Sequence, residues 1–156
     1  MSDTLGLDTY VIKTARDLED ALTLRVQVFV QEQNVPPEEE VDEYDALPAE
    51  DIGALHVLSR RGDVSLGTGR LIYPKELRAA AKIGRVAVAN EARGLGVGRA
   101  VMEKLHDEAR DRGIVSIKLG AQLHAIPFYE KLGYTAYGDI FLDAKIEHRM
   151  MECRLD

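Results

Sequence analysis

The chain has a single cysteine, Cys153, in 156 residues. No internal disulfide can form, and Cys153 reads as a small packing residue near the C-terminus. No apolar run approaches the roughly 18 residues needed to span a bilayer. The first residues lack the basic-then-apolar pattern of a secretory leader. A cytoplasmic protein with no membrane partner is the expectation. Lysine and arginine never gather into a block, and 20 of them against 27 acidic residues leave a net charge of −7. Phosphate neutralisation dominates nucleic-acid binding, so no nucleic-acid partner is expected. Metal-site spacings are missing as well: there is no cysteine pair, no H-x-x-x-H and no EF-hand string, and no metal is expected. Repeats and linkers do not occur. With 46% apolar residues, residues 1–156 read as one domain long enough to bury a real core.

What stands out instead is glycine, in the segment Arg93-Gly94-Leu95-Gly96-Val97-Gly98-Arg99. It follows an apolar run, Ile83 to Ala89, and opens an amphipathic one, Ala100 to Arg112. That order reads as strand, tight loop, helix. Such a loop can turn several backbone N–H groups into one concavity, where the helix N-terminus adds positive potential, and this suits a phosphate or pyrophosphate. Glycine removes the side chains that would hold an anion off the backbone. The dinucleotide fingerprint G-x-G-x-x-G/A fails from both starts, because Arg99 and Val101 fill its last position. No P-loop string occurs. What remains is R-x-x-G-x-G, carried by Arg93, Gly96 and Gly98. Its plainer reading is a turn that only connects strand to helix.

Periodicity supplies the remaining order. Thr9 to Thr14 alternates as a first strand. Asp17 to Phe29 has helical spacing, with Asp17 as the N-cap. Gln33 to Asp51 is a long acidic loop with prolines. Ala54 to Arg60 and Val64 to Ile72 read as strands joined by a turn at Arg61-Gly62-Asp63. Lys75 to Ala81 is a short helical or irregular link, and Ile83 to Ala89 a strand. Val97, Val101, Leu105 and Ala109 line one helix face, and Gly113 stops that helix. Ile114 to Leu119 is a strand, Ala125 to Leu132 a short helix, and Tyr134 to Tyr137 and Arg149 to Leu155 are closing strands. The order is β-α-β-β-β-α-β-α-β-β, an α/β (α+β) arrangement.

Downstream of the glycine loop lies Gln122-Leu123-His124-Ala125-Ile126-Pro127-Phe128-Tyr129-Glu130-Lys131-Leu132-Gly133-Tyr134. R-x-x-G-x-G followed by A-x-x-F-Y-x-K-x-G-Y resembles the GNAT (Gcn5-related) N-acetyltransferase superfamily, over roughly residues 83–137. Phe29-Val30-Gln31-Glu32-Gln33-Asn34-Val35-Pro36, with Asp42 and Asp45, further resembles the ElaA-like branch. The resemblance implies a mixed central sheet flanked by helices and splayed between its fourth and fifth strands. It implies direct transfer of an acetyl group from acetyl-CoA to a primary amine. Backbone N–H groups of Arg93, Gly94, Leu95, Gly96, Val97, Gly98 and Arg99 would cradle the CoA pyrophosphate. Val86, Ala87 and Val88 would run along the pantetheine arm, with the Val88 N–H as oxyanion donor, although both valines can equally be core.

Tyr129 is the expected general acid for the departing CoA thiolate and a contact of the CoA sulfur. Gln122 stands where many relatives carry asparagine and would bond the pantetheine. Phe128 reads chiefly as core beside the cofactor, and Lys131 as a solvated helix lysine. The amine must be neutral to attack, and at pH 7 an alkylamine of pKa ~10.4 is less than about 0.1% neutral. The base is therefore sought among Glu32, Asp42, Asp45, His124, His148 and water. The acidic loop Glu38 to Asp51 is either a solvated, mobile surface or a field that guides a cationic amine. Among relatives a homodimer is common, and the sequence shows no interface. The alternative function is a CoA-binding sensor or interaction module without turnover.

Overall fold

The computed structural model describes residues 6–74 and 80–155. Strand β1 spans Asp8–Val11 and helix α1 spans Ala15–Arg25. The cap of α1 is Thr14 rather than Asp17: the Thr14 hydroxyl accepts the Asp17 N–H at 3.2 Å. Asp17 sits in the first turn, where its charge suits the helix dipole and its carboxylate takes Arg60 at 3.0 Å. The expected single helix to Phe29 is in fact two pieces. After Arg25 the coil widens into a π-helical stretch, Val26–Glu32, which carries β-branched residues at Val26, Val28 and Val30. Such side chains crowd the preceding turn of an α-helix.

The acidic segment that follows is built, not loose. It holds a short helix α2, Pro37–Glu40, and a 3₁₀ turn, Ala49–Ile52. Strands β2 (Ala54–Arg61), β3 (Val64–Ile72) and β4 (Ala81–Val88) then form an antiparallel meander. Of the link expected over 75–81, residues 75–79 lie outside the described residues, and Ala81 already opens β4.

Helix α3, Val97–Asp111, lies on β3 with Val97, Val101, Leu105 and Ala109 facing inward. The approach is close because β3 carries glycine there. A Cβ on Gly67 would stand 2.5 Å from Val97 Cγ1, and one on Gly69 would stand 2.8 Å from Val101 Cγ1. The helix ends as its sequence dictates. Gly113 takes φ +75°, its N–H bonds the Arg110 carbonyl, and the Ile114 N–H bonds the Ala109 carbonyl, a Schellman closure.

Strand β5 (Ser116–Gln122), helix α4 (Ile126–Glu130) and strands β6 (Thr135–Asp143) and β7 (Ile146–Arg154) complete the chain. The last two strands are longer than their apolar pattern suggested. They close through a two-residue turn, Ala144-Lys145, with φ +50° and +66°. That turn normally shows itself through Asn or Gly, and neither is present here.

The seven strands lie in the order β1-β2-β3-β4-β5-β7-β6, antiparallel except for β4 beside β5. Within β4, three steps (Gly84 to Ala87) face two on β3 (Arg70 to Thr68). One residue is therefore extra, a β-bulge, with Arg85 at φ +54°. Parallel pairing with β5 covers only Ala81↔Ile117 and Lys82↔Lys118 and stops before the bulge. From there β4 and β5 diverge, which is the expected splay. Among the described residues no helix is long and apolar enough to cross a membrane.

Candidate active site

The gap left between β4 and β5 is a cleft of about 780 Å³. Val86, Ala87 and Val88 form one wall, Gln122 the other, and Tyr129, His124 and His148 also border it. These sequence-expected residues, distant along the chain, thus share one cavity. The strand's own geometry aims a donor into the gap. Successive N–H groups in a strand point to opposite sides, and the Ala89 N–H is used by the Leu66 carbonyl of the β3 side at 2.8 Å. The Val88 N–H therefore points away from β3, toward the space where β5 has departed.

The glycine loop stands at the cleft mouth rather than in its wall. Arg93 borders the cleft, whereas Gly94, Leu95, Gly96 and Arg99 are exposed beyond it. Gly94 and Gly96 adopt φ +82° and +85°, the left-handed region that explains glycine at both. The expected cradle of N–H groups is narrower than Arg93 to Arg99. The Arg93 and Leu95 N–H groups turn back to the Asn90 and Ala92 carbonyls. Those of Val97, Gly98 and Arg99 open α3, where no intrahelical acceptor exists, and the Gly96 cap offers no side chain. Val97 is fully buried by its side chain, and Gly98 faces Phe128, whose ring a Cβ there would meet at 3.2 Å. Phe128 is accordingly a packing residue beneath the loop. Arg99 pairs with Glu103 at 2.6 Å on the surface, and Lys131 is exposed.

Tyr129 is 9% exposed and packs edge-on to Phe128 and Tyr134, with ring centroids 5.0 and 5.8 Å away. Burial pushes its hydroxyl up to about 12. It is therefore a held phenol, not a phenolate, at neutral pH.

The five base candidates differ sharply in their surroundings. Glu32 pairs with Arg93 at 2.6 Å. Asp45 is buried, and both arginines Arg25 (2.7 Å) and Arg70 (3.3 Å) reach it. Burial pushes its carboxyl up, but the Arg25 hydrogen bond, the Asp42 N–H and the two positive charges hold it below the usual range. Asp42 takes Arg70 at 2.7 Å and Arg85 at 3.5 Å. These three carboxylates are spoken for, and the acidic loop is no solvated fringe: Arg25, Arg70 and Arg85 lace it to α1, β3 and the β4 bulge. His124 borders the cleft but is exposed.

His148 differs from all of these. It is 8% exposed and stacks on Phe141, centroids 5.7 Å apart. Its Nδ1 lies 2.7 Å from the Ile146 carbonyl. A carbonyl only accepts, so Nδ1 carries a proton, and in the neutral ring the lone pair is on Nε2.

The structure adds a partner for Gln122 and further residues that had no sequence signal. Gln122 donates through Nε2 to Gln33 Oε1 at 2.8 Å, tying the end of β5 to the π-helical stretch. Arg85, Glu39 and Asp143 also border the cleft. No local pattern predicts the bulge or the turn that puts them there.

Comparison with known proteins agrees with this geometry. A family model described as an acetyltransferase (GNAT) domain matches residues 25–155. YjcF of Bacillus subtilis, described as an uncharacterized N-acetyltransferase, is 37% identical over 142 residues, covering 90% of this chain and 95% of that protein. The crystal structure of an acyl-CoA N-acyltransferase from Pseudomonas aeruginosa superposes with a TM-score of 0.79 at 30% identity, covering 94% of this chain and 99% of that one. Escherichia coli ElaA superposes with a TM-score of 0.80 at 25% identity over the same shares. This chain belongs to the GNAT family of acetyltransferases, in its ElaA-like branch.

Proposed function

We propose that the protein, acting as one domain, transfers an acetyl group from acetyl-CoA directly to a primary amine. The observation that carries this reading is the cleft itself. It gathers an outward backbone donor at Val88, a protonated phenol at Tyr129 and an unprotonated imidazole nitrogen at His148 around one opening. Membership of an acetyltransferase family supplies the reaction class.

In this reading the pyrophosphate rests on the free N–H groups at the start of α3, aided by the helix dipole. The pantetheine follows Val86 to Val88 in the place a fifth strand would occupy. His148 Nε2 takes a proton from the incoming ammonium, directly or through water, and the neutral amine attacks the thioester carbon. The carbonyl oxygen gains charge, which the Val88 N–H stabilises. Collapse breaks the C–S bond, the acetyl group stays on nitrogen, the thiolate leaves toward Tyr129, and the nitrogen's remaining surplus proton passes to the departing thiolate or to solvent. A thiol has pKa ~8.5 and the Tyr129 phenol lies near 12, so complete proton transfer is about 5 kcal/mol uphill. Tyr129 therefore acts by donating a hydrogen bond to the sulfur as negative charge develops there.

The test is a calorimetric titration with acetyl-CoA, followed by an acetyl-transfer assay on a panel of primary amines. Binding with turnover supports the reading. Binding without turnover on any amine assigns a CoA sensor instead, and no binding withdraws the cofactor altogether.

A further inference from the structure

Helix α2, the β4 bulge and the β6–β7 turn all border the cleft. Its charges are not balanced. Arg85 is consumed by Glu40 at 3.2 Å, by Asp42 at 3.5 Å and by the carbonyls of Glu39 and Glu40. Arg93, farther along the wall, is consumed by Glu32. Glu40 is buried between Arg25 and Arg85. Two carboxylates that border the cleft, Glu39 of α2 and Asp143 of β6, are exposed and have no ion pair among the described residues. Lys145, the nearest cation in sequence to Asp143, does not line the cleft. His148, more than nine-tenths buried and with no hydrogen-bond partner at Nε2 among the described residues, borders the same cleft.

We infer that the acceptor carries a second positive charge away from the reacting nitrogen, and that Glu39 and Asp143 hold it: the substrate class is a diamine or a longer polyamine. This rests on the acetyl-transfer reading above and adds the acceptor's class to it. A monoamine would offer neither carboxylate a partner. An acceptor with a distal carboxylate would meet like charge on both sides.

Putrescine, n-butylamine and γ-aminobutyrate share one carbon chain and differ only in distal charge. With acetyl-CoA saturating, putrescine should exceed n-butylamine in kcat/KM roughly 5- to 10-fold, beyond the factor of about two that its equivalent amines provide. The same order should hold for cadaverine over n-pentylamine. The advantage should shrink as salt is raised, because exposed ion pairs are screened. In the double variant Glu39→Gln, Asp143→Asn, the diamine-to-monoamine ratio should fall toward about two. A ratio unmoved by the double variant, or γ-aminobutyrate as the best acceptor, overturns the inference. If none of the amines is acetylated, the transfer reading fails on its own. Titration of putrescine and n-butylamine into the CoA-loaded protein then still decides whether the diamine is preferred.

Discussion

At the scale of single residues, two side chains divide the proposed proton traffic. Tyr129 is kept protonated because burial disfavours its phenolate. His148 is kept in one tautomer because the Ile146 carbonyl can take only a proton from Nδ1. Different kinetic signatures follow. Tyr129→Phe retains the ring and its contacts, so acetyl-CoA should still bind with an unchanged dissociation constant while kcat falls about 10²-fold. His148→Gln keeps polarity but cannot accept a proton at the same position. It should lower kcat/KM by about 10²-fold at neutral pH. Stopped assays across pH read both, and a wild-type profile in His148→Gln would move the base to His124 or water.

At the scale of elements, the acceptor side is held in place by an ion lattice rather than by apolar packing. Arg25, the last residue of α1, is 1% exposed. It spans Glu40 of α2 through Nε at 2.8 Å and Asp45 through Nη1 at 2.7 Å, and its Nη2 bonds the Glu40 carbonyl. Breaking a buried pair on one side leaves uncompensated charge and typically costs about 3–5 kcal/mol. Arg25→Ala should destabilise on that scale in urea unfolding, since Glu40 and Asp45 each lose their nearest cation. Arg25→Lys should recover only part of it, because an ammonium cannot reproduce the planar fork. A loss below about 1 kcal/mol in Arg25→Ala would show that Arg70 and Arg85 carry the lattice without it. The β4 bulge belongs to the same unit. Arg85 takes a left-handed backbone, and its guanidinium donates to the carbonyls that end α2. The feature that separates β4 from β5 is thereby fastened to the acceptor wall.

At the scale of the whole molecule, burial of titratable groups makes stability depend on pH. His56 and His106 are both buried, and burial lowers the affinity of each for a proton. His56 bonds the Tyr44 carbonyl and His106 the Tyr134 hydroxyl. Unfolded, both titrate near about 6.5. Below that pH the unfolded chain binds protons that the folded chain refuses, so stability falls as pH falls. Asp45, held below its ordinary range, adds a loss of the same sign at more acidic pH. Glu40 works the other way: burial raises it despite Arg25 and Arg85, and the folded state then gains protons before the unfolded one. The melting temperature should therefore decline from pH 7.5 to pH 5, by roughly 2–4 °C for each kcal/mol lost at this size. Calorimetry that shows a flat or rising melting temperature over that range contradicts it.

The sequence alone determined whatever depends on neighbours a few residues away. The β2–β3 hairpin, the glycine loop opening α3, the apolar face of that helix and its Gly113 stop all stand as the pattern read them. Each is set by local φ/ψ demands or by a repeat of two or 3.6 residues. Motif spacing also pointed to the family, because the two blocks that carry it are short and contiguous. The same local reading misplaced the α1 cap and left the acidic segment a loop, because Thr14 and Asp17 are both acceptable caps and the partners of Asp42 and Asp45 are far away in sequence. Tertiary structure decided the rest. It turned Asp45 from a possible base into a lattice member, because Arg25 and Arg70 lie 20 and 25 residues away from it along the chain. It set Glu32 against Arg93 across 61 residues and brought His148 to the cleft with its Nδ1 bound to the Ile146 carbonyl. A carboxylate's or imidazole's chemistry is fixed by which charges and carbonyls surround it, and those neighbours are assembled only when the sheet has folded.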